Sequence, residues 1–511
     1  MKRSQTPSFV VELPLVVKPG DERLLLVRFE AARRLYNAVL GGALRRQELM
    51  RESRGWQKAR LLKDKKERAA TFRKLEKEFG FISNNLSSFG TDCKNAAGWQ
   101  DRLGAHETQR IAERAFTAVE EYGFGKRGRP RFKGRGRPLH SLESKTNASG
   151  IRWQPTVGCV EWNGLVLRAM FAPSGKDPWQ EEALGCRTKY CLIVWRNLNG
   201  RRRWYVQLVK EGLSPRKPSQ ISGSRMGIVG LDIGPSTVAM VADGAADLAA
   251  FCPSIRQPWA EVRRSQRALD RSRRATNPHC FNEDGTWKKG ARQTIFSIRY
   301  RTLQTRLAEA ERRLVAERKR SHRELTNAII AHGNIVQAEK LSYKAFQRRY
   351  GRSVKVKAPG MFISLLRRKA ERAGGKLLER DTRDLKLSQY DHPTGQYTKK
   401  PLSQRWHILG ATGLIVQRDV YSAFLARCVI DNRHHPSRIE TVWAAVEPLL
   451  RQAGWCRNQP ASGKTSSFPT VKPSERVACR RSLAVGHSPD VVAVTREPGH
   501  PDGFDFRTPC L

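Results

Sequence analysis

Three acidic residues occur where the sequence predicts two strand ends and a helix, and together they could bind divalent cations. Asp232 follows the apolar residues of GIVGLD, a pattern typical of a buried strand, before Gly234-Pro235 breaks the run. Glu339 lies near the end of a second short apolar run, NIVQAEKL, and Asp419 lies in a helix-like segment beside small residues. Since parallel strands end at one edge of a sheet, and a packed helix can reach that edge, we expect these carboxylates to meet.

Carboxylates without cysteine ligands are typical of Mg²⁺ or Mn²⁺ sites, because these hard ions prefer oxygen ligands. Two such ions, about 3.5–4 Å apart, can hold the attacking and leaving oxygens of a phosphodiester. One ion would make the attacking water more acidic, and the other would stabilise the leaving 3′ oxygen. Each acid also has a structural interpretation: a turn for Asp232, pairing with Lys340 or Arg367 for Glu339, and pairing with Arg418 for Asp419.

The charge of the chain indicates a polyanionic partner. Its 511 residues include 95 Lys and Arg against 48 Asp and Glu, a net charge of +47 that exceeds what solubility requires. Nucleic acid, bound through its phosphates, is the partner that such an excess favours. No apolar run is long enough to span a bilayer, and the N-terminus is unlike a signal peptide, so we expect a cytoplasmic protein without a membrane partner.

Cysteine usage excludes two other classes of protein. The ten cysteines are scattered, and no CxxC pair occurs anywhere in the chain. The nearest pair is Cys186 and Cys191. The sequence therefore predicts neither a disulfide framework nor a thiolate zinc site.

The N-terminal half alternates between β and helical patterns. Ser8 to Val17 is predicted as a strand, and three helices are then predicted, one from about residue 22, one near 60–79 and one over about 105–122. Asn163-Gly164 and Asn199-Gly200 each separate two apolar runs, which is a strong hairpin signal. These hairpins and the first strand could close a small barrel into which the helical block is inserted.

Two strongly basic segments are candidates for contact with nucleic acid. The first is the Gly/Arg/Lys/Pro stretch from Gly125 to Pro138, for which a flexible hinge is the alternative interpretation. The second is a predicted helix from Ala260 to Ala275. The candidate phosphate-binding residues are Arg127, Arg129, Arg131, Lys133, Arg135, Arg137, Arg263, Arg264 and Arg267.

The C-terminal half is predicted to contain the three acids and a series of helices. The expected elements are a long helix over 296–332, a basic loop over 344–359, a helix over 361–373, a strand over 376–379, an irregular stretch over 387–414 and a helix over 415–430. The tail from residue 431 is expected to be poorly ordered beyond a short helix near 439–452.

Several motifs resemble those of one nuclease family. GIVGLDIG, IVQAEKLSYKAF and VQRDVYSAFLA resemble the three segments of a RuvC nuclease domain, and in particular those of the TnpB family, the transposon-encoded relatives of type V CRISPR effectors. GRPRFKGRG, LDRSRRATNP, RKRSHRELTNAII and KKPLSQRWH carry the same resemblance. It covers the chain from about residue 9 to residue 430 and implies a mixed fold with α/β, α and β parts: a wedge-like β-barrel over 1–21 and 125–222, an inserted helical recognition lobe over 22–124, and an RNase H-like RuvC core over 223–430. The tail over 431–511 lies outside the resemblance.

The resemblance also implies an activity and a set of residues. The activity would be cleavage of double-stranded target DNA directed by a bound guide RNA, with two Mg²⁺ or Mn²⁺ ions as cofactors. Asp232, Glu339 and Asp419 would be the catalytic and metal-binding acids. An arginine recurs near the third acid in such nucleases, and Arg405 is the candidate for contact with the scissile phosphate.

The chain departs from the family where a four-cysteine zinc ribbon is expected. No cysteine lies between Leu387 and Asp419, and Asp391, His392 and His407 do not make a convincing zinc site. We therefore expect a degenerate ribbon over 387–414 without zinc, in which His407 is an ordinary loop residue. Two alternatives stay open: a non-cleaving, guide-RNA-dependent DNA-binding protein that represses transcription, and a transposase or transposase accessory protein. The sequence predicts no oligomeric state.

Overall fold

The structure is a computed structural model that describes residues 6–134, 136–215, 226–255, 259–401, 403–410 and 412–459. The described residues form two compact units, which divide between residues 215 and 226. None of the described helices combines the length and the apolar composition that a membrane span requires.

The first unit begins with a strand and a block of helices, as the periodicity predicts. Its fourth helix was not predicted, because SNNLSSFGTDCKNA has few apolar residues and only Leu86 and Gly90 are buried. The elements are β1 (Ser8–Pro14), α1 (Pro19–Glu52), α2 (Arg54–Leu61), α3 (Lys65–Glu78), α4 (Ser83–Ala96) and α5 (Ala105–Gly123).

The remaining strands of this unit form two sheets. Both predicted hairpins are present, and Asn163, Gly164, Asn199 and Gly200 all have the positive φ that a tight two-residue turn requires. One sheet has the order β1-β7-β6-β2 and the other β3-β4-β5. The elements are β2 (Ser141–Glu143), β3 (Arg152–Gln154), β4 (Cys159–Trp162), β5 (Leu165–Arg168), α6 (Pro178–Gly185), β6 (Thr188–Leu198) and β7 (Arg201–Glu211).

A single β-bridge between Leu15 and Ala169 connects these two sheets. Two backbone hydrogen bonds flank it, from Val16 N–H to the oxygen of Arg168 and from Met170 N–H to the oxygen of Pro14. Within residues 6–215, no pairing of named strands closes the two sheets into a ring. The described strands thus form two bridged sheets, and closure of the expected barrel stays a prediction.

The basic stretch after α5 is held against α1 at one point. The side chain of Asn37 accepts a 2.7 Å hydrogen bond from the backbone N–H of Lys133, and its amide donates to the Lys133 oxygen at 2.9 Å. Arg33 donates to the same oxygen. The stretch is therefore not a free hinge at Lys133, although its arginines stay exposed.

The second unit is built on a mixed five-stranded sheet of order β10-β9-β8-β11-β12. The first three strands are antiparallel, while β11 runs parallel to both β8 and β12. Both predicted acid-bearing strands lie at its centre. The strands are β8 (Ile228–Ile233), β9 (Thr237–Ala242), β10 (Ala245–Ala250), β11 (Ile335–Glu339) and β12 (Lys376–Arg380).

Helices cover both faces of this sheet. Val229, Leu231 and Ile233 of β8 pack in a core with residues of α8 and α10, whereas α12 and α13 share a second core with β9 and β10. The helices are α7 (Trp259–Thr276), α8 (Ile298–His332), α9 (Tyr343–Lys357), α10 (Pro359–Arg372), α11 (Thr382–Leu385), α12 (Arg418–Cys428) and α13 (Pro436–Gln452).

Two local predictions in this unit are wrong. The basic loop over 344–359 is helix α9, kinked at Tyr350 and ended by Ala358 in the left-handed conformation. The predicted helix over 415–430 begins three residues later, because Leu414–Gln417 pairs as strand β16 and the Gln417 side chain caps α12 by accepting from Val420 N–H at 2.7 Å.

The segment over 387–414 contains short strands, and the chain beyond 430 packs on it. The strands are β13 (Tyr390–Asp391), β14 (Gln396–Tyr397), β15 (Trp406–Ile408), β16 (Leu414–Gln417) and β17 (Cys456–Asn458). Strand β17 pairs with β16, and Trp443 of α13 packs against Tyr421 and Phe424 of α12. The boundary placed at residue 430 is therefore wrong for 431–459, while 460–511 lies outside the described residues.

Candidate active site

Asp232 and Glu339 lie side by side on neighbouring parallel strands. The register pairs Val229 with Val336 and Leu231 with Ala338, so the next residues along the two strands are these two acids. Adjacent strands in a sheet are about 4.8 Å apart, and residues in register point to the same face. The strand pairing therefore brings the first two predicted acids together.

Helix α12 brings the third acid to the same face of the sheet. Gly230 lies two residues before Asp232 and so faces the same way, and it contacts the backbone of α12 at Ala423 and Arg427. Asp419 lies one helical turn before Ala423, about 6 Å along the helix. Asp232 lies about 6.6 Å beyond Gly230 along the strand. The helix runs antiparallel to β8, so these matched distances place Asp419 over Asp232.

The pKa of Asp232 is shifted by its burial and by the charges of the other two acids. Burial raises the pKa of Asp232 well above its ordinary value, although the residue retains some solvent exposure. The negative charges of Asp419 and then Glu339 raise that pKa further, and only Arg418 opposes them. Burial also raises the pKa of Glu339. The site thus concentrates negative charge that the protein compensates only in part.

The other two carboxylates are held by neighbouring protein groups. Glu339 accepts a 3.2 Å hydrogen bond from the backbone N–H of Leu387. Asp419 lies 3.4 Å from the Arg418 guanidinium and 3.7 Å from that of Arg405. Within the described part of the chain, no three His, Cys, Asp or Glu side chains are grouped closely enough to hold one ion as they stand. The three acids lie at one edge of the sheet without enclosing a metal site.

These contacts bear on the structural alternatives for each acid. The pair between Asp419 and Arg418 is present. Arg367, which was considered as a partner of Glu339, pairs instead with Glu379 on β12. Arg405 lies at the third acid, with a guanidinium side chain that is 60% exposed. Its role as a phosphate contact stays a prediction.

A buried polar cluster lies where the zinc ribbon was expected. Asp391 accepts hydrogen bonds from the Thr394 hydroxyl at 2.8 Å and the Gly410 N–H at 3.1 Å, and its other oxygen lies 3.3 Å from Nε2 of His407. His407 is 2% exposed, so it is not an ordinary loop residue. Its ring stacks on Tyr421 of α12, with centroids 4.9 Å apart.

The Tyr421 hydroxyl links this cluster to a second buried histidine. It lies 2.7 Å from Nδ1 of His392 and accepts from the backbone N–H of that residue at 3.0 Å. Burial lowers the pKa of both His392 and His407 to about 4, so both rings are neutral at physiological pH. Residues 387–414 are therefore anchored to α12 through the hydrogen bonds between His392 and Tyr421.

The candidate phosphate-binding residues lie on the surfaces of both units. Arg129 pairs with Glu48 at 2.8 Å and Arg127 with Glu121 at 3.4 Å, which reduces the positive charge available there. Arg135 lies outside the described residues. Lys133 is half-buried, and the exposed side chains are Arg127, Arg129, Arg131 and Arg137 in the first unit and Arg263, Arg264 and Arg267 on α7 in the second.

The sequence did not identify two residues that position the site. The first is Gly230, whose missing side chain admits α12; its signal was a glycine two residues before the acid, opposite a helix with small residues at 422, 423 and 426. The second is Leu387, which holds Glu339 through its backbone and has no side-chain signal.

Comparisons with known proteins give a loose structural likeness. No protein-family model and no curated protein sequence matches the chain. One similar solved structure is a cryo-EM structure of a Cas12f1–sgRNA–target DNA complex, at 11% identity and a TM-score of 0.40, covering 82% of this chain and 98% of that one. Another is a cryo-EM structure of a CRISPR-Cas12f ternary complex, at 12% identity and a TM-score of 0.28, covering 81% and 83%.

Proposed function

We propose that the protein is an RNA-guided, divalent-metal-dependent DNA endonuclease of the TnpB type, with an RNase H-like RuvC site at Asp232, Glu339 and Asp419. The observation that carries the proposal is the strand register that brings Asp232 beside Glu339, together with the close approach of α12, the helix of Asp419, at Gly230. The strand order, with parallel β8 and β11 at the centre, supports an RNase H-like core. The resemblance of the three acid segments to TnpB motifs supports the guide RNA and the target DNA.

The donor set fits magnesium or manganese. Three carboxylates provide the oxygen ligands that these ions prefer, and the raised pKa of Asp232 reflects negative charge that a dication would compensate. Asp232, Glu339 and Asp419 would hold the metal, which when bound would make water more acidic and stabilise the charge on the leaving 3′ oxygen. In the reaction, an oxygen of water bonds to phosphorus and the bond from phosphorus to the 3′ oxygen breaks. The attacking water gives a proton to solvent, and the leaving 3′ oxygen takes up a proton from solvent.

The chain's own residues supply orientation and charge. The Leu387 N–H fixes one oxygen of Glu339, and the backbone contact at Gly230 fixes the height of Asp419 above the sheet. Arg405, beside Asp419 and 60% exposed, is placed to contact a non-bridging oxygen of the scissile phosphate. The exposed arginines of α7 would hold the backbone of the nucleic acid.

The test is cleavage of a plasmid that carries a sequence matching the RNA that co-purifies with the protein. We expect cleavage with Mg²⁺, none with EDTA, and none with Asp232→Ala. Glu371→Gln, which changes an exposed acid on α10, is the control that should cleave normally. Target binding without cleavage by the wild-type protein would favour the non-cleaving repressor, and a covalent protein–DNA adduct would favour a transposase.

A further inference from the structure

A cavity of about 590 Å³ opens beside the candidate active site, in the second unit. Its volume is within the range of about 300–1,000 Å³ that small-molecule groups occupy in proteins. It lies between the β13–β14 hairpin and the turn that joins α12 to α13. The residues that define its chemistry are Asp384, Tyr390, Tyr397, Asp431, Arg433 and His434.

Three aromatic rings meet in this cavity. The rings of Tyr390 and His434 stack in parallel, with centroids 3.9 Å apart and planes 7° from each other. Tyr397 is the register partner of Tyr390 across the hairpin, and its ring lies 5.0 Å from that of Tyr390. Tyr390 is 4% exposed whereas Tyr397 is 47% exposed. The stacked pair is thus continued by the ring of Tyr397, which is tilted 48° from that of Tyr390 and which solvent can reach.

The charges around the cavity favour an uncharged group that is attached to a negatively charged polymer. Two carboxylates, Asp384 and Asp431, line it and would repel a phosphate placed inside. At the same time the Lys386 ammonium lies 5.8 Å from the ring of Tyr397, and Arg433 is an exposed lining residue. A flat, uncharged ring that is attached to a phosphate backbone satisfies both conditions, with the ring inside and the phosphates at the cations.

The cavity is close along the chain to a candidate catalytic acid. Leu385, another lining residue, accepts a 2.8 Å hydrogen bond from Nε2 of His434 through its carbonyl oxygen. Leu387, two residues further on, donates its N–H to Glu339. Two residues span at most about 7 Å. The backbone of Leu385 at the cavity wall therefore lies within about 10 Å of the Glu339 carboxylate.

We propose that this cavity binds one unstacked nucleobase of the single strand that is cut, with Tyr397 as its stacking partner. The identity of this strand as the one that is cut rests on the proposed nuclease function, whereas the binding of a base does not. The exposed ring of Tyr397 offers a face for stacking, and the carboxylates can accept hydrogen bonds from the amino group of a base. Holding that base would fix the next phosphate near Glu339.

The test measures what a base adds to binding, without cleavage. The full-length protein in EDTA is titrated with an oligo(dC) strand of about a dozen nucleotides, and with an abasic strand of the same length. We expect the wild-type protein to prefer the base-containing strand. Tyr397→Ala should reduce that preference about tenfold, while Tyr397→Phe should retain it because the stacking face remains.

A matched control is Phe296→Ala, since Phe296 is an aromatic residue of the same unit and is 44% exposed. This change should leave the preference for oligo(dC) intact. The nucleobase site would be overturned if Tyr397→Ala lowered the affinity for both strands equally, or if the wild-type protein showed no preference for oligo(dC). Either result would leave the nuclease proposal standing. Conversely, a Tyr397-dependent preference in a protein that cleaves no target would uphold the base site and defeat the nuclease proposal.

Discussion

A Cβ atom placed on Gly230 would overlap the carbonyl oxygen of Ala423 and lie 2.6 Å from the backbone nitrogen of Arg427. The central strand β8 and helix α12 thus contact each other backbone to backbone. Asp419 lies about one helical turn from this contact, and Asp232 lies two residues along the strand from it. The contact therefore sets the distance between Asp232 and Asp419.

Gly230→Ala is expected to lower the free energy of unfolding by about 2–4 kcal/mol and to abolish cleavage, since the added methyl group must push α12 away from the sheet. Urea unfolding and the plasmid assay measure the two effects. Gly351→Ala is the control, because a Cβ at Gly351 meets nothing within 4 Å. Normal cleavage by Gly230→Ala would show that the helix can move without cost to the site.

Asp232→Asn is expected to stabilise the protein in EDTA while abolishing cleavage. Its folded-state pKa is raised, so the folded state binds a proton more tightly than the unfolded chain does, and the ionised group at pH 7 opposes folding. Removing that charge should raise the free energy of unfolding. Denaturant titration at pH 7 checks this, with Glu371→Gln as the neutral comparison. A destabilised Asp232→Asn would mean that the carboxylate is structural.

Arg405→Ala is expected to reduce the cleavage rate about 10- to 100-fold with little change in stability, because the side chain is 60% exposed. Arg405→Lys should restore part of the rate, since it keeps the charge but not the planar fork. Single-turnover cleavage and urea unfolding separate the two effects. An unchanged rate for Arg405→Ala would leave the arginine as a surface partner of Asp419 alone.

The placement of the acids was largely predictable from sequence, and its physical reason is periodicity. Apolar runs that end in an acid identified β8 and β11, and the register of parallel strands then had to bring Asp232 and Glu339 together. The start of α12 was not predictable in the same way. Leu414–Gln417 is as apolar as a helix face, and only the pairing with β15 and β17 makes it a strand.

Asp391→Ala is expected to destabilise the second unit by about 2–4 kcal/mol, because the Thr394 hydroxyl, the Gly410 N–H and Nε2 of His407 all lose their acceptor in a buried place. Thr394→Val removes a single hydrogen bond of the set and should cost less. Urea unfolding ranks the variants.

The same cluster leads us to expect no stoichiometric zinc in the purified protein, and no change in the unfolding midpoint when a chelator is added. Elemental analysis and thermal unfolding measure this. A midpoint that falls on chelation would indicate a structural metal.

The stability of the unit is expected to fall as the pH decreases from about 6.5 to about 4. His392 and His407 have folded-state pKa values of about 4, mainly through burial, so the unfolded chain binds protons first as the pH falls. Each could contribute up to about 1.4 kcal/mol per pH unit in that window. Urea unfolding at pH 7 and at pH 5 measures the free energy of unfolding, which should change less between the two pH values for His392→Gln than for the wild-type protein.

The exposed His279 provides the comparison for that series. His279→Gln should retain the full wild-type dependence of stability on pH. If His392→Gln and His279→Gln behave alike, then the buried histidines do not govern the acid sensitivity of the unit.

The polar cluster itself could not be predicted from sequence. Asp391, His392 and His407 were noticed because a zinc ribbon was expected there, but their partner Tyr421 lies on a helix some distance along the chain. Hydrogen bonds between remote side chains leave no periodic signal. The same reason explains why helix α13 was predicted near 439–452 but its packing was not, since its apolar stripe has meaning only beside Tyr421 and Phe424.

Strand β17 and helix α13 have a consequence for how the chain is made. Until the chain has been synthesised up to about Cys456, strand β16 is paired on one side only, with β15, and the outer side of α12 is uncovered. A nascent chain that already contains all three acids therefore still exposes an apolar surface to chaperones. The core around α12 is complete only once the last described strand has been made.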